Sequence, residues 1–327
     1  MSHEINSKIV VLGTGGTIAG LSAHAVNPAI YRSGQLGVAD LIRQAGLLEM
    51  QIEFEDIARI DSKNIDLSVW QTLYSAVCKA QARTDVKAVV ITHGTDTLEE
   101  TAFLLSALGP WPKPIIMTCA MKPADHPNAD GPVNLQDALQ LAGTPGIHEV
   151  FVVFNGLAHH GIYVQKISTD ETHAFSSGSA GIAAIKSGVV WELQASHRET
   201  RTFDTPSTAY FLKQTQWPRI EWITHHAAIG SDGIDALLFP SKPPSEQLRG
   251  LVVAGTGAGT FKPAWEEALH RAVSLGIEIW ISSRCAWGRA LPQAEQNIGV
   301  LTDLPPAKAC MALALSMMHK DEKTSAL

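Results

Sequence analysis

Three segments rich in glycine and hydroxyl groups stand where strands should end: GTGGTIAG at 13–20, DSKN at 61–64 and HGTDT at 93–97. In an open parallel sheet, ligands bind beyond the carboxyl ends of the strands. Thr17, Ser62, Thr95 and Asp96 are therefore expected to converge on one crevice. Glycine backbone lets a ligand approach closely and leaves amide donors exposed. Hydroxyls, a carboxylate and such donors together can hold a small polar molecule. A tight strand-to-helix turn would account for residues 13–16 alone, but not for three hydroxyl-bearing loops at once.

Other chemistries fail on spacing. A dinucleotide fingerprint read from Gly13 meets Ile18 at its sixth position, and no GxxxxGK[ST] loop occurs. A nucleophile elbow around Ser179 is spoiled because Ser177 stands where its first glycine belongs. His159-His160 and His225-His226 are adjacent pairs whose side chains diverge, and there is no HExxH. They read as surface or hydrogen-bonded groups, so no metal and no cofactor is expected. Cys78, Cys119, Cys285 and Cys310 are widely spaced without a CxxC pair, and they read as buried reduced thiols.

The elements that must position the three loops alternate along the chain. Apolar runs at 9–12, 88–92, 115–117 and 150–154, with a half-buried alternation at 51–57, predict strands. Helical spacing recurs at Val69, Trp70, Leu73, Tyr74 and Val77 behind a cap near Asp66, again at Leu98, Ala102, Leu105 and Leu108, and near 134–142. Strand–helix repetition of this kind predicts a mainly parallel sheet covered on both faces. Residues 193–218 turn polar and read as an inter-domain connection. The rhythm then resumes, with strands at 220–223, 251–254 and 277–281 and helices near 262–275 and 305–318. The expected architecture is two unequal α/β domains: a larger, doubly wound one at 1–192 and a smaller parallel-sheet one at 219–327.

Composition narrows the function classes. The 327 residues carry 25 Lys+Arg and 32 Asp+Glu, a formal charge of −7, with 45% hydrophobic and only 17% charged residues. That is a chain with ample core and no basic run, so neither nucleic acid nor an anionic membrane is an expected partner. No stretch of about 18 apolar residues appears, and MSHEINSKIVVLG does not read as a secretory leader. A cytoplasmic location is expected.

TGGTIAG at 14–20 and HGTDTLEETA at 93–102 resemble the two signature segments of the L-asparaginase/glutaminase family. AMKPADHPNADGPVNLQDAL at 120–139, SSRCAWGRALPQAE at 282–295 and DLPPAKACMALAL at 303–315 resemble further family segments, nearly to the C-terminus. The resemblance implies hydrolysis of the side-chain amide of L-asparagine to L-aspartate and ammonia through an acyl-threonine. It implies Thr17 as nucleophile, Tyr31 as its helper, and Thr95, Asp96 and Lys166 as the remaining catalytic groups. It also implies Ser62 at the substrate α-carboxylate, Asp96 at the α-amino group, and Glu295 reaching the site of a neighbouring subunit in a homotetramer or dimer. Amide hydrolysis does need a nucleophile, a proton acceptor and donors for an oxyanion. A lysine can accept a proton once burial lowers its pKa, with Asp96 fixing its orientation.

Three positions depart from the family pattern. Lys63 stands beside Ser62 where many members have glutamine, Thr260 where bacterial periplasmic members have asparagine, and Ile162 where a polar residue is common. The first two bear on substrate binding. Two other readings remain open at this point: a glutaminase-asparaginase or another small ω-amidase on the same scaffold, and an amino-acid-binding sensor without turnover. Retention of Thr17, Thr95, Asp96 and Lys166 together favours an enzyme.

Overall fold

The structure is a computed structural model, described for residues 7–22, 31–178, 182–186, 189–193, 201–238, 247–293 and 298–325. The chain divides into two compact units, Met1–Arg201 and Thr202–Leu327.

The first unit begins with β1 (Lys8–Gly15), a small ribbon of β2 (Leu21–Ser22) and β3 (Tyr31–Arg32), then α1 (Val38–Gln44) and β4 (Ile52–Ile60). It continues through α2 (Leu67–Ala82), β5 (Val86–Thr92), α3 (Leu98–Ala107), β6 (Ile115–Thr118), α4 (Gly131–Ala142) and β7 (Val150–Phe154). β8 (Leu157–His160), the short pair β9 (Gln165–Lys166) and β10 (Phe175–Ser176), and β11 (Ile182–Lys186) with β12 (Val189–Leu193) complete it. The main sheet has the order β12-β11-β8-β7-β6-β5-β1-β4. Its half from β4 to β7 is parallel. This is the mainly parallel sheet expected from the sequence.

The local reasons are plain. β1, β5 and β6 are β-branched runs buried on both faces, which is why they show no alternation. α2 starts where Asp66 accepts a hydrogen bond from Val69 N, and α4 carries Pro132 in its first turn. The parallel run stops at Asn155-Gly156, both at positive φ, which closes a two-residue hairpin between Phe154 and Leu157 and sends β8 back antiparallel.

The second unit contains α5 (Thr208–Lys213), β13 (Ile220–Thr224), α6 (Asp232–Leu238), β14 (Gly250–Gly255), α7 (Pro263–Ser274), β15 (Glu278–Ser283), β16 (Val300–Leu301) and α8 (Pro306–Ser325). Its strands form one parallel sheet in the order β13-β14-β15-β16. α7 buries Trp265, Ala268, Leu269 and Ala272, the stripe that helical periodicity demands, against Leu251, Val253 and Ile279. Within the polar stretch 193–218 the structure holds α5, capped by Ser207, with Phe211 fully buried. The Glu322 carboxylate takes the Ser207 amide and hydroxyl, fastening this segment to α8.

The expectation that all four cysteines are buried needs correction. Cys119 is buried and Cys78 and Cys310 are half-buried, but Cys285 is exposed. It lies in the turn beyond β15, outside any apolar pattern. The histidine pairs are hydrogen-bonded or at the surface, as the sequence predicts: His159 and His160 are buried and bonded to Ser177 and Glu149, His225 Nε2 accepts from Lys262 N, and His226 is exposed.

Burial makes two histidines acid-sensitive. His93 and His159 are 0% and 2% exposed, and burial lowers both pKa values to about 4. Their folded values lie below the unfolded one of about 6.5. The unfolded chain therefore takes up protons first, and stability, constant above pH 6.5, falls as pH drops toward 4. Each histidine contributes up to roughly 3 kcal/mol to that loss. Denaturant unfolding from pH 7 to 4.5 is expected to show this decline, and His159→Asn to remove about one proton from its slope. An unchanged slope in the variant would contradict a buried neutral His159.

Candidate active site

The three loops meet because β4, β1 and β5 are neighbours in the sheet and end at the same edge. Gly16, at φ 83°, lies so close to Gly94 that a Cβ on it would overlap the Gly94 backbone. A Cβ on Gly94 would stand 2.5 Å from Ser62 Oγ. Only residues without side chains allow this backbone-to-backbone approach. Gly16 N also donates to Ile60 O at 2.8 Å, tying the end of β1 to the end of β4.

Thr17 opens a 3-10 turn, Thr17–Ala19, directly after Gly16 and is 5% exposed. Its Oγ1 shares a 2.7 Å hydrogen bond with Tyr31 Oη. Tyr31 reaches it because β3 folds back on β2, pairing Tyr31 with Ser22. The Asp125 carboxylate accepts from Ser22 N at 2.9 Å and from Ser22 Oγ at 2.9 Å, and Ala124 N donates to Gly20 O. The ribbon carrying Tyr31 is thereby fastened to the loop that follows β6.

A second group lines the same cavity. Lys166 Nζ donates to Thr95 Oγ1 at 2.9 Å and to Asp96 Oδ1 at 2.6 Å. The Glu99 carboxylate accepts from the Lys166 backbone amide, anchoring β9 to the start of α3. The Lys166 side chain is 18% exposed with a carboxylate beside it.

Thr17, Tyr31, Thr95, Asp96 and Lys166 all line one cavity of ≈ 370 Å³. Ser62 is not among the lining residues; it is 4% exposed, against Gly94 in the 3-10 turn Ser62–Asn64, with its carbonyl accepting from Thr97 Oγ1. Lys63 does not line the cavity. Its Nζ pairs with Asp61 at 3.0 Å, and that bond raises its pKa. Glu295 lies outside the described residues. Thr260 belongs to the second unit, where its hydroxyl donates to Thr256 O across a tight turn. Ile162 is buried.

Met121, Lys122, Pro123, His126, Thr169 and Asp170 complete the cavity wall. The segment containing the first four was legible as AMKPADHPNADG, but its type and spacing assign no role. The Asp130 carboxylate shapes it by accepting from Met121 N and Lys122 N. Among the described residues, no three His, Cys, Asp or Glu stand together as metal ligands, and no helix is long and apolar enough to cross a membrane.

Comparison with known proteins gives consistent matches. Residues 8–197 match the family description "Asparaginase, N-terminal", and 219–326 match "Glutaminase/Asparaginase C-terminal domain". The chain is 31% identical over 322 residues to L-asparaginase 2 of Bacillus subtilis, covering 96% of this chain and 83% of that protein. It is also 31% identical over 335 residues to the glutaminase-asparaginase of Pseudomonas fluorescens biotype A, covering 98% and 89%. Among solved structures, a probable cytoplasmic L-asparaginase from Campylobacter jejuni superposes with a TM-score of 0.82 at 30% identity, covering 97% of this chain and 98% of that one.

Proposed function

The chain belongs to the asparaginase family of amidohydrolases, and we propose that it hydrolyses L-asparagine to L-aspartate and ammonia through an ester on Thr17. Thr17 Oγ1 attacks the side-chain amide carbon while its proton passes toward Tyr31 Oη, its hydrogen-bond partner. The tetrahedral intermediate collapses, the C–N bond breaks, and nitrogen leaves with that proton as ammonia. Water then attacks the ester, adding hydroxyl to the carbonyl carbon and returning a proton to Thr17 Oγ1. Thr95, held by Lys166, is the second hydroxyl of the cavity, and Asp96 Oδ2 remains to receive the substrate's α-ammonium. Ser62 is the assigned holder of the α-carboxylate.

The observation that carries this reading is the pairing of two hydroxyls, Thr17 with Tyr31 and Thr95 with Lys166, on one cavity. A coupled ammonia assay with asparagine, glutamine and buffer alone tests it. Turnover of asparagine is expected, and no ammonia above buffer with either amide would overturn the reading in favour of an amino-acid-binding sensor. Glutaminase activity is the second reading, supported by 31% identity to the glutaminase-asparaginase. One methylene changes discrimination by only about 1–3 kcal/mol, so some glutamine turnover is expected beside a preference for asparagine.

Lys63 is assigned a supporting electrostatic role toward the α-carboxylate. Because its charge is exposed and already paired with Asp61, the role is small. Lys63→Gln is expected to raise KM by up to about fivefold, with kcat unchanged. An unchanged KM would place Lys63 outside substrate binding.

We further propose a cytoplasmic enzyme that works as a homotetramer or dimer, with Glu295 completing a neighbour's site. Co-refolding Thr17→Ala with Glu295→Ala subunits is expected to restore some activity, because one site of a mixed dimer combines intact Thr17 with the neighbour's intact Glu295. Activity no higher than that of the unmixed parents, despite demonstrated mixed oligomers, would mean that each site comes from one chain.

A further inference from the structure

His93 opens the HGTDT segment yet is fully buried and absent from the cavity wall. Its ring joins a chain of hydrogen bonds with only one possible direction. Trp70 Nε1, which can only donate, bonds Thr101 Oγ1 at 2.9 Å. Thr101 Oγ1 lies 2.9 Å from His93 Nε2, and His93 Nδ1 lies 2.8 Å from Gly94 O, which can only accept. Nδ1 must therefore carry the proton, and neutral Nε2 accepts from Thr101. Burial, which lowers the His93 pKa to about 4, keeps this neutral form at working pH.

The Gly94 carbonyl thus points inward at His93. The Gly94–Thr95 peptide is planar and trans, so its N–H points the opposite way, away from His93, and Thr95 itself lines the cavity. Gly94 is also the residue against which Gly16 and Ser62 pack. We propose that His93 is a positioning residue: by gripping the Gly94 carbonyl it aims the Thr95 amide and hydroxyl at the substrate's reacting carbonyl. Trp70 on α2 and Thr101 on α3 hold the imidazole in that tautomer, so both helices behind the sheet edge take part. This rests on the amidohydrolase reading above.

The test compares His93→Asn, whose amide nitrogen can stand in for Nδ1, with His93→Gln and His93→Leu. Wild type is assayed first, and failure of wild type to release ammonia would fault the function and not this proposal. With an active wild type, His93→Leu is expected to lower kcat about 100-fold, the scale of losing one oriented oxyanion donor, with KM within about threefold. His93→Asn should recover most of the loss and His93→Gln little, while thermal unfolding shows all three folded. Equal activity in Asn and Gln variants, or losses that merely follow melting temperature, would reduce His93 to a core residue and overturn the proposal. Should the Leu variant not fold, Thr101→Val offers the second route. It frees the imidazole from its tautomer lock and is expected to lower kcat and add an acidic limb to the pH profile. A wild-type profile in that variant would equally overturn the proposal.

Discussion

Thr17→Ala is expected to lower kcat on asparagine by at least about 10⁴-fold while leaving the fold intact. Losses of this size follow removal of a nucleophile, because only the binding and oxyanion contributions survive. The fold should survive because Thr17 sits in a short 3-10 turn whose backbone bonds, such as Gly20 N to Thr17 O, do not need its side chain. The hydroxyl instead bonds Tyr31, an exposed residue that water can satisfy once the partner is gone. Aspartate binding by calorimetry, circular dichroism and kcat together separate chemistry from folding. Hydroxylamine trapping should yield aspartyl hydroxamate with wild type and none with the variant. A kcat within tenfold of wild type would remove Thr17 from the nucleophile's role.

Thr95→Val and Lys166→Met are each expected to cost about 10³-fold in kcat, with the double variant less than about tenfold worse than either. Groups that act as one unit lose their function together, so their effects do not multiply. The structural basis is the 2.9 Å bond from Lys166 Nζ to Thr95 Oγ1, with Asp96 steering the ammonium from 2.6 Å. Neither substitution should unfold the site. In Lys166→Met the backbone amide keeps its bond to Glu99, and the half-exposed Asp96 carboxylate is left to water and not stranded in the core. A double variant near 10⁶-fold down would mean that the lysine and the second threonine act independently.

Glycine spacing, β-branched runs and helix caps are local signals, and they were sufficient for the parallel strands from β4 to β7, for β13 to β15 and for the three loops at the sheet edge, but not for the short or antiparallel strands β2, β3, β8 to β12 and β16. Thr17, Ser62, Thr95 and Asp96 were legible as a cluster for that reason: each follows a strand, and strands of a parallel sheet end on the same side. The hairpin at Asn155-Gly156 is also written locally, in the turn chemistry of the pair. Tertiary structure decided what meets what across long separations. Lys166 stands 71 residues from Thr95, and no periodicity in either segment says that β9 will bring an ammonium within 2.9 Å of a hydroxyl. The same holds for Asp125, which clamps Ser22 from 103 residues away, and for the outer cavity wall at 121–126. His93 shows the division within one residue. Its place after an apolar strand is sequence, but its tautomer and its hold on Gly94 come from Thr101 and Trp70 on packed helices. Local backbone preference acts over a few residues, whereas these contacts exist only after packing has closed large loops and removed water from the groups they join.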